Sequence, residues 1–278
     1  MKISKVILAL LLLLLMQFSC NKQSTIDQEE IIPETLKVLQ LDFDKNIVGD
    51  YTNENLTNDI GQVEWFIIDG RANIEDDTEH KKVLRVTYPE GTVGPQQSGI
   101  QFVKSIPNAD EYYLDYFLKF NEGFDFALGG KLPGLTSGGS TFTGGVKPEN
   151  GEGWSMRYMW ISGGEIIVYF YYLDMISSFG DAIKLNINFE TGKWYRITQH
   201  IKLNDTDKFN GVMEVWVDGK KVINNTEVRY RIAPLGKIDS FYFSTFHGGS
   251  TAEWAPINDS HMYYDEFTVT NTKPDNLN

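Results

Sequence analysis

The 278-residue chain contains a single cysteine, Cys20, so no disulfide can form within it. It also lacks an apolar run long enough to cross a bilayer as a permanent helix, because the longest run, residues 6–16, is too short. Basic residues are scarce: 25 Lys and Arg against 38 Asp and Glu give a net charge of −13. This charge argues against nucleic acid or an anionic lipid surface as a partner. The folded part must therefore be stabilised by its core alone.

The N-terminus has the pattern of an exported protein. Lys2 and Lys5 precede the apolar run and Ser19-Cys20 follows it, which is typical of a signal peptide and resembles a bacterial lipoprotein signal. We expect residues 1–19 to be removed, Cys20 to be lipidated and residues 20–35 to form a flexible tether. The protein is then expected in the cell envelope, on the outer membrane or facing the periplasm, held to a membrane only by this anchor. A secretory signal with an incidental cysteine is the alternative.

Residues 36–278 show short alternating runs punctuated by Gly, Asn, Asp and Pro, with no amphipathic helix longer than two turns. The pair Asp218-Gly219 predicts a type I′ hairpin turn. About a dozen strands without a repeat or linker indicate one domain, an all-β antiparallel β-sandwich of jelly-roll, concanavalin-like type. The predicted strands are Val38–Asp44, Gln62–Asp69, Lys82–Tyr88, Gly99–Ile106, Tyr112–Phe120, Trp154–Ile161, Glu165–Leu173, Trp194–Leu203, Val212–Val217, Lys220–Asn224, Ser240–Phe246 and Met262–Thr270.

The segment WSMRYMW at residues 154–160 alternates as a half-buried strand does. Its large apolar residues predict the core face, which leaves Ser155, Arg157 and Met159 on the other face. A three-residue loop at 162–164 would pair Arg157 with Tyr169 and Ser155 with Tyr171 on that same face. A two-residue turn would shift the register by one. We predict the first register, because it places polar groups beside polar groups.

The stretch GGKLPGL at residues 129–135 adds a lysine, and we interpret it as a loop that lets the backbone approach a ligand closely. Lysine, serine, arginine and two tyrosines suit the cleavage of a uronic-acid polymer by β-elimination. The C5 proton beside the carboxylate is very weakly acidic while the carboxylate keeps its charge. A positive or hydrogen-bonding group must therefore stabilise the enolate-like intermediate, while a base takes the proton and an acid protonates O4.

Each residue type has a chemical reason to take part. Arg157 has the planar fork that matches a carboxylate, and Ser155 can donate a hydrogen bond to the same group. Lys131 suits a base if it is desolvated, or a second clamp on the carboxylate. Tyr169 and Tyr171, near these cations, can serve as base, acid or both. The residues leave open which group is the base, which uronate is cut, and whether attack is endo or exo.

Three motifs in order, GGKLPGL, GWSMR and YFY, resemble polysaccharide lyase family 14, which acts on alginate and related glucuronate polymers. The segments LRVTYPEGTVGPQQSGIQF at 84–102, FYFSTFHGGSTAEWAP at 241–256 and YYDEF at 263–267 resemble its other strands. The resemblance implies a β-jelly roll and a lyase that leaves 4,5-unsaturated ends. It places the family's active-site residues at Lys131, Ser155, Arg157, Tyr169 and Tyr171. The residues TSGG after KLPGL, where the family often has Tyr-Gly-Gly, depart from the pattern and suggest different subsites.

Two further residues are candidates for binding substrate, Gln101 on a strand between apolar neighbours and His247 at a strand end beside two glycines. No cofactor is expected, and the other three histidines lack metal-ligand spacing. The acidic pairs Asp42/Asp44 and Asp265/Glu266 suggest at most a structural calcium ion. We expect a monomer whose partner is an anionic polysaccharide.

Three other classes of function compete with a lyase. A retaining glycoside hydrolase needs two carboxylates about 5 Å apart on one strand face, and no such run of acids occurs. The position of Ser155 within a predicted strand, not on a strand-to-helix elbow, argues against a serine hydrolase. The rival that stays open is a non-catalytic glycan-binding lipoprotein that uses the same sandwich face.

Overall fold

The computed structural model describes residues 35–278. The predicted signal peptide, the lipidation site Cys20 and nearly all of the predicted tether lie outside the described residues. Within residues 35–278, no helix is long and apolar enough to cross a membrane.

The described chain consists of sixteen strands, one short α-helix and two 3₁₀ turns. The helix α1, Asn53–Ile60, begins with a capping box in which the Thr52 side chain and the Asn55 side chain bond each other's backbone. The strands are β1 Lys37–Leu41, β2 Gly49–Asp50, β3 Trp65–Ile67, β4 Ala72–Asp77, β5 Lys81–Tyr88, β6 Ile100–Ala109, β7 Glu111–Phe120, β8 Gly129–Ser137, β9 Trp154–Ile161, β10 Glu165–Tyr171, β11 Asp181–Asn188, β12 Trp194–Lys202, β13 Gly211–Val217, β14 Lys220–Val228, β15 Ile238–His247 and β16 Ser260–Thr270.

The strands form two antiparallel sheets that pack face to face, which confirms the predicted all-β sandwich. One sheet has nine strands in the order β14-β13-β12-β7-β16-β5-β4-β2, with β1 paired to β16. The other has seven strands in the order β11-β10-β9-β8-β15-β6-β3. Most strands give alternate residues to a shared aromatic core, as β9 does with Trp154, Tyr158 and Trp160. The outer face of the seven-stranded sheet is left for other contacts.

The strand prediction was right for most of the chain and wrong at four elements. It missed the two-residue strand β2 as well as β4 and β11, and it interpreted the GGKLPGL stretch as a loop although these residues open β8, between β9 and β15. The predicted hairpin turn is confirmed: Asp218 and Gly219 both have positive φ, 50° and 76°, as a type I′ turn requires.

Strand β8 accommodates its proline through an irregularity. The register against β9 shifts between Leu132 and Leu135, so Pro133 lies in a bulge where no ladder hydrogen bond is lost to it. The glycines serve packing against protein, not against a ligand as predicted. A Cβ on Gly134 would lie 2.0 Å from the Met156 carbonyl oxygen, so only glycine allows the two backbones to approach this closely.

A buried glutamine from the opposite sheet satisfies the backbone groups that the bulge frees. Gln199 of β12 accepts a hydrogen bond from the Leu135 N–H at 2.9 Å and donates one to the Met156 carbonyl at 2.9 Å. Its side chain is fully buried. An unpaired buried backbone group is costly, so Gln199 stabilises the strand geometry that positions Lys131.

We expect Gln199→Met to lower the free energy of unfolding by about 2–4 kcal/mol. Methionine has roughly the volume of glutamine, but it leaves two buried backbone groups without a hydrogen-bond partner. Denaturant unfolding followed by circular dichroism measures this loss. Lys202→Met, at an exposed position of the same strand, is the control and should change stability by no more than about 0.5–1 kcal/mol. An equal, small effect of both substitutions would contradict the role of Gln199.

Candidate active site

The candidate site is a row of polar side chains across the outer face of the seven-stranded sheet. Strand order places β10, β9, β8, β15 and β6 side by side. Pairing between adjacent strands places the side chains of this row next to each other: Tyr169 lies opposite Arg157, and Ser244 lies opposite Gln101. Lys131 contributes from β8, between these two pairs.

The predicted register of the β9–β10 hairpin is confirmed. Arg157 pairs with Tyr169 and Ser155 pairs with Tyr171. The connecting residues 162–164 form a tight turn in which Gly163 and Gly164 have positive φ, 75° and 80°. Both glycines are needed because L residues rarely adopt this conformation. The turn therefore determines which side chains of β9 and β10 lie together on the outer face of the seven-stranded sheet, which we call the cleft face.

Arg157 is a buried cation without an acidic partner. Its side chain is 2% exposed, and Nη1 donates a hydrogen bond to Ser244 Oγ at 3.0 Å while Nε has no partner among the described residues. Its guanidinium carbon lies 5.0 Å from the Tyr242 ring centroid and 5.9 Å from that of Tyr169. The other five arginines within residues 35–278 all form ion pairs: Arg71, Arg85, Arg196, Arg229 and Arg231. A buried charge is costly unless it is paired, so Arg157 is preorganised for an anion that arrives from solution.

Lys131 lies beside the same face and has no carboxylate partner in the described chain either. Its Nζ is 4.0 Å from the Tyr169 ring centroid and 2.8 Å from Met159 Sδ. Burial, and then the charge of Arg157, lower the pKa of Lys131 well below its ordinary value. A lysine in this environment is a proton acceptor at a pH where an exposed lysine is not.

The two tyrosines are linked to each other. Their hydroxyl oxygens lie 3.2 Å apart, and Tyr171 accepts a hydrogen bond from the Gly145 N–H at 3.0 Å. Tyr171 is fully buried, whereas Tyr169 is partly accessible from the cleft. Burial, followed by the Tyr171 hydroxyl, raises the pKa of Tyr169, and the nearby Arg157 opposes this shift only in part. Tyr169 therefore stays protonated and can donate a proton.

Ser155 lies on the predicted face but has a different role from the predicted one. It is fully buried, and its Oγ donates a hydrogen bond to the Phe142 carbonyl at 2.6 Å. Its only proton is thus used to hold the loop between β8 and β9 over the sheet. Phe142 packs there with Tyr171 and Met175. Ser155 positions the loop and Tyr171 and does not offer a donor to a substrate carboxylate.

Gln101 faces the cleft, as the sequence indicated. Its Oε1 accepts hydrogen bonds from the hydroxyl of Tyr242 and from Ser244 Oγ, the latter at 3.2 Å. Ser244 thus bridges Gln101 and Arg157. Within residues 35–278 the Gln101 amide nitrogen makes no hydrogen bond, so it is left as a donor toward the cleft.

His247 does not reach the cleft, and this part of the prediction is corrected. Alternation along β15 places Phe241, Phe243, Thr245 and His247 on the core face. The His247 ring stacks on Phe124 with centroids 5.6 Å apart, and its Nε2 bonds the Asp125 carbonyl oxygen at 2.8 Å. Burial lowers the pKa of His247. It is a core histidine.

Three further residues belong to the site and were not predicted from the sequence. Tyr242 and Ser244 alternate with the core residues of β15, so the run FYFSTFH carried the signal, but nothing in it distinguishes the two faces by composition. Trp65 of β3 extends the face, its ring centroid 5.8 Å from that of Tyr242. The cleft therefore runs from the tyrosine pair on β10 to an aromatic platform on β3.

The site thus combines, on one face of a jelly-roll sheet, an arginine and a lysine that have no acidic partner among residues 35–278 with two tyrosines. The polysaccharide lyase 14 family model matches residues 76–267. The chain belongs to polysaccharide lyase family 14. No curated protein matches the chain significantly.

Solved structures of uronate lyases are similar to this chain. Alginate lyase Aly36B is 26% identical, with a TM-score of 0.74 over 89% of this chain and 99% of its own. A variant of it, with a lysine and a tyrosine replaced by alanine, was solved in complex with an alginate tetrasaccharide. The marine PL-14 alginate lyase from Aplysia kurodai is 22% identical, with a TM-score of 0.74 over 85% of this chain and all of its own. The endo-β-1,4-glucuronan lyase of the fungus Trichoderma reesei is 13% identical, with a TM-score of 0.50 over 82% of this chain and 95% of its own.

Proposed function

We propose that the protein cleaves a uronic-acid polysaccharide of the alginate type by β-elimination and leaves 4,5-unsaturated ends. The observation that carries the proposal is Arg157, the one arginine of residues 35–278 without an ion pair. A uronate carboxylate supplies the missing counter-charge and satisfies the unpartnered Nε. Its bidentate fit to the guanidinium neutralises the group next to C5.

In this reaction the C5–H bond breaks, a C4–C5 double bond forms and the bond from C4 to O4 breaks. Lys131, as a neutral amine, takes the C5 proton, because burial and the charge of Arg157 lower its pKa and so favour the unprotonated form. Arg157 stabilises the negative charge that develops on the carboxylate. Tyr169 donates its proton to the departing O4, and the resulting phenolate is stabilised by the Tyr171 hydroxyl and by Arg157.

Alginate is proposed over glucuronan because the similarity to an alginate lyase is greater, 26% identity and a TM-score of 0.74 against 13% and 0.50. The complex of the Aly36B variant with an alginate tetrasaccharide supports an anionic polysaccharide as the ligand class. The lipid anchor at Cys20, the location in the cell envelope and the monomeric state are proposals from the sequence alone.

A substrate panel tests the proposal. The folded domain, residues 35–278, is incubated with alginate, glucuronan and a neutral glycan, and the absorbance of the unsaturated product is followed. We expect a rise with alginate and none with the neutral glycan. Binding of alginate without any product on either uronan would instead indicate a glycan-binding protein and reject the lyase.

Tyr169→Phe should lower kcat by about 10²–10³-fold, because it removes the proposed acid and keeps the ring beside Lys131. KM should change little, since the ring contacts stay. The initial rate of absorbance increase on alginate measures the effect. Tyr263→Phe, on the other sheet, is a matched control that should retain the wild-type rate; a wild-type rate for Tyr169→Phe would reject its role as the acid.

A further inference from the structure

A second cluster of ligand-type side chains lies on the nine-stranded sheet, away from the cleft. His80 is in the turn between β4 and β5, and Asp265 and Glu266 lie where β16 bulges against β7. His80 Nδ1 is 3.3 Å from Asp265 Oδ2 and 3.3 Å from Glu266 Oε1. One ligand atom from each residue falls within 4.8 Å of the other two.

Two of these side chains are buried with polar atoms left unpartnered. The His80 side chain is 10% exposed and that of Asp265 is 3% exposed. Neither His80 Nδ1 nor Asp265 Oδ1 makes a hydrogen bond within residues 35–278. Buried polar atoms of this kind are costly unless something satisfies them. Both residues therefore point to a ligand that lies between them.

The fold holds the three groups in place before any ligand binds. The His80 ring lies between Phe117 and Trp194, with centroid distances of 4.7 and 4.3 Å. The His80 backbone N–H donates to Asp77. Glu266 has a φ of 54°, so the bulge turns its side chain toward the histidine. A preorganised site binds a ligand at a lower entropic cost.

The surroundings carry an excess of negative charge. The carboxylates of Asp42, Asp44 and Glu266 line the same pocket as Asp265. Lys81 is the nearby cation, but it is mostly exposed and pairs with Asp44 at 2.6 Å. No lysine or arginine of the described residues forms an ion pair with Asp265. A bound cation would relieve this repulsion.

We propose that His80, Asp265 and Glu266 form a binding site for a divalent transition-metal ion of the zinc class. Zinc binds imidazole nitrogen and carboxylate oxygen at about 2.0–2.2 Å, which at a tetrahedral angle puts the ligand atoms about 3.4 Å apart. The two separations of 3.3 Å match this value. Calcium, which the sequence suggested for Asp265/Glu266, takes oxygen ligands only, so the imidazole disfavours it.

The ion would act as a structural clip. It joins the β4–β5 turn to the bulge of β16, and His80 and Asp265 are 185 positions apart in the sequence. Metal that binds only the folded state stabilises that state by an amount that grows with the logarithm of the metal concentration relative to the dissociation constant. The inference does not depend on the proposed lyase activity, because the two sites lie on different sheets.

The test is thermal unfolding of residues 35–278 after removal of metal with a chelator, with and without added Zn²⁺. At a hundredfold excess over the dissociation constant, we expect the midpoint to rise by about 5–10 °C. His80→Gln and Asp265→Asn should each abolish this rise. His261→Gln is the matched control, since His261 also has an unpartnered Nδ1 but lies outside the cluster.

A Zn²⁺-dependent rise in the wild type and His261→Gln that is lost in the other two variants supports the site. Isothermal titration with Zn²⁺ should then give one site per chain for the wild type and His261→Gln and none for His80→Gln and Asp265→Asn, and it measures binding directly where a substitution weakens the fold. Absence of a rise in the wild type, or a rise retained in His80→Gln, would overturn the proposal. A rise with Ca²⁺ and none with Zn²⁺ would also overturn it.

Discussion

Arg157→Ala should lower kcat on alginate by about 10²–10³-fold, the usual cost of removing one preorganised group that stabilises developing charge. KM should rise as well, because the same guanidinium binds the ground-state carboxylate. The expectation rests on the isolation of this residue: it is buried, is oriented by Ser244 and has no acidic partner. Initial rates over a range of alginate concentrations separate the two effects.

Two controls make the result specific. Arg157→Lys keeps the charge and loses the planar fork, so it should recover part of the binding and little of the turnover. Arg85→Ala removes an arginine that pairs with Glu75 on the other sheet, and it should keep the wild-type rate. Circular dichroism must show the same unfolding cooperativity for all three variants. A wild-type rate for Arg157→Ala in a folded domain would reject the carboxylate role.

Lys131→Met is the second substitution with a large expected effect. It removes the proposed base and should lower kcat by about 10²–10⁴-fold. In the wild type, kcat/KM should rise with pH through the lowered pKa of Lys131 and should not fall again until a pH above the ordinary tyrosine value, because the pKa of Tyr169 is raised. A rate that falls between neutral pH and the ordinary lysine value would contradict these roles.

The same substitution should stabilise the fold. The folded-state pKa of Lys131 lies below its unfolded value, so between the two pKa values the unfolded state binds more protons. The free energy of unfolding of the wild type therefore rises with pH across that window and is lowest below it. Lys131→Met removes this dependence and should be the more stable protein near neutral pH. Lys208→Met, at an exposed lysine, is the control for loss of a surface charge.

Local patterns in the sequence were sufficient to predict much of the site. Strict alternation in WSMRYMW separated core residues from Arg157, and the two-glycine turn at 162–164 fixed the partner of each residue. Both features depend only on neighbours along the chain. The hairpin register that brings Tyr169 and Tyr171 to the cleft was therefore predictable.

Contacts distant in sequence explain what was missed. The proline and glycines of GGKLPGL suggest a loop, because nothing nearby shows that Gln199 of the other sheet bonds the freed backbone. Ser155 is polar on the correct face, yet its proton goes to Phe142 in a loop that the pattern cannot place. His247 follows the alternation of Phe241 and Phe243 into the core. The two glycines that follow it had suggested a strand end at the cleft, where His247 would bind substrate.

The central claim is that the cleft around Arg157 performs an elimination and not a hydrolysis. Product analysis by mass spectrometry, after digestion of alginate in water labelled with heavy oxygen, tests this most directly. Elimination adds no water, so we predict unsaturated oligosaccharides without label in their new ends, formed by the wild type and not by Arg157→Ala. Saturated products that carry the heavy oxygen, or equal product from both proteins, would contradict the mechanism.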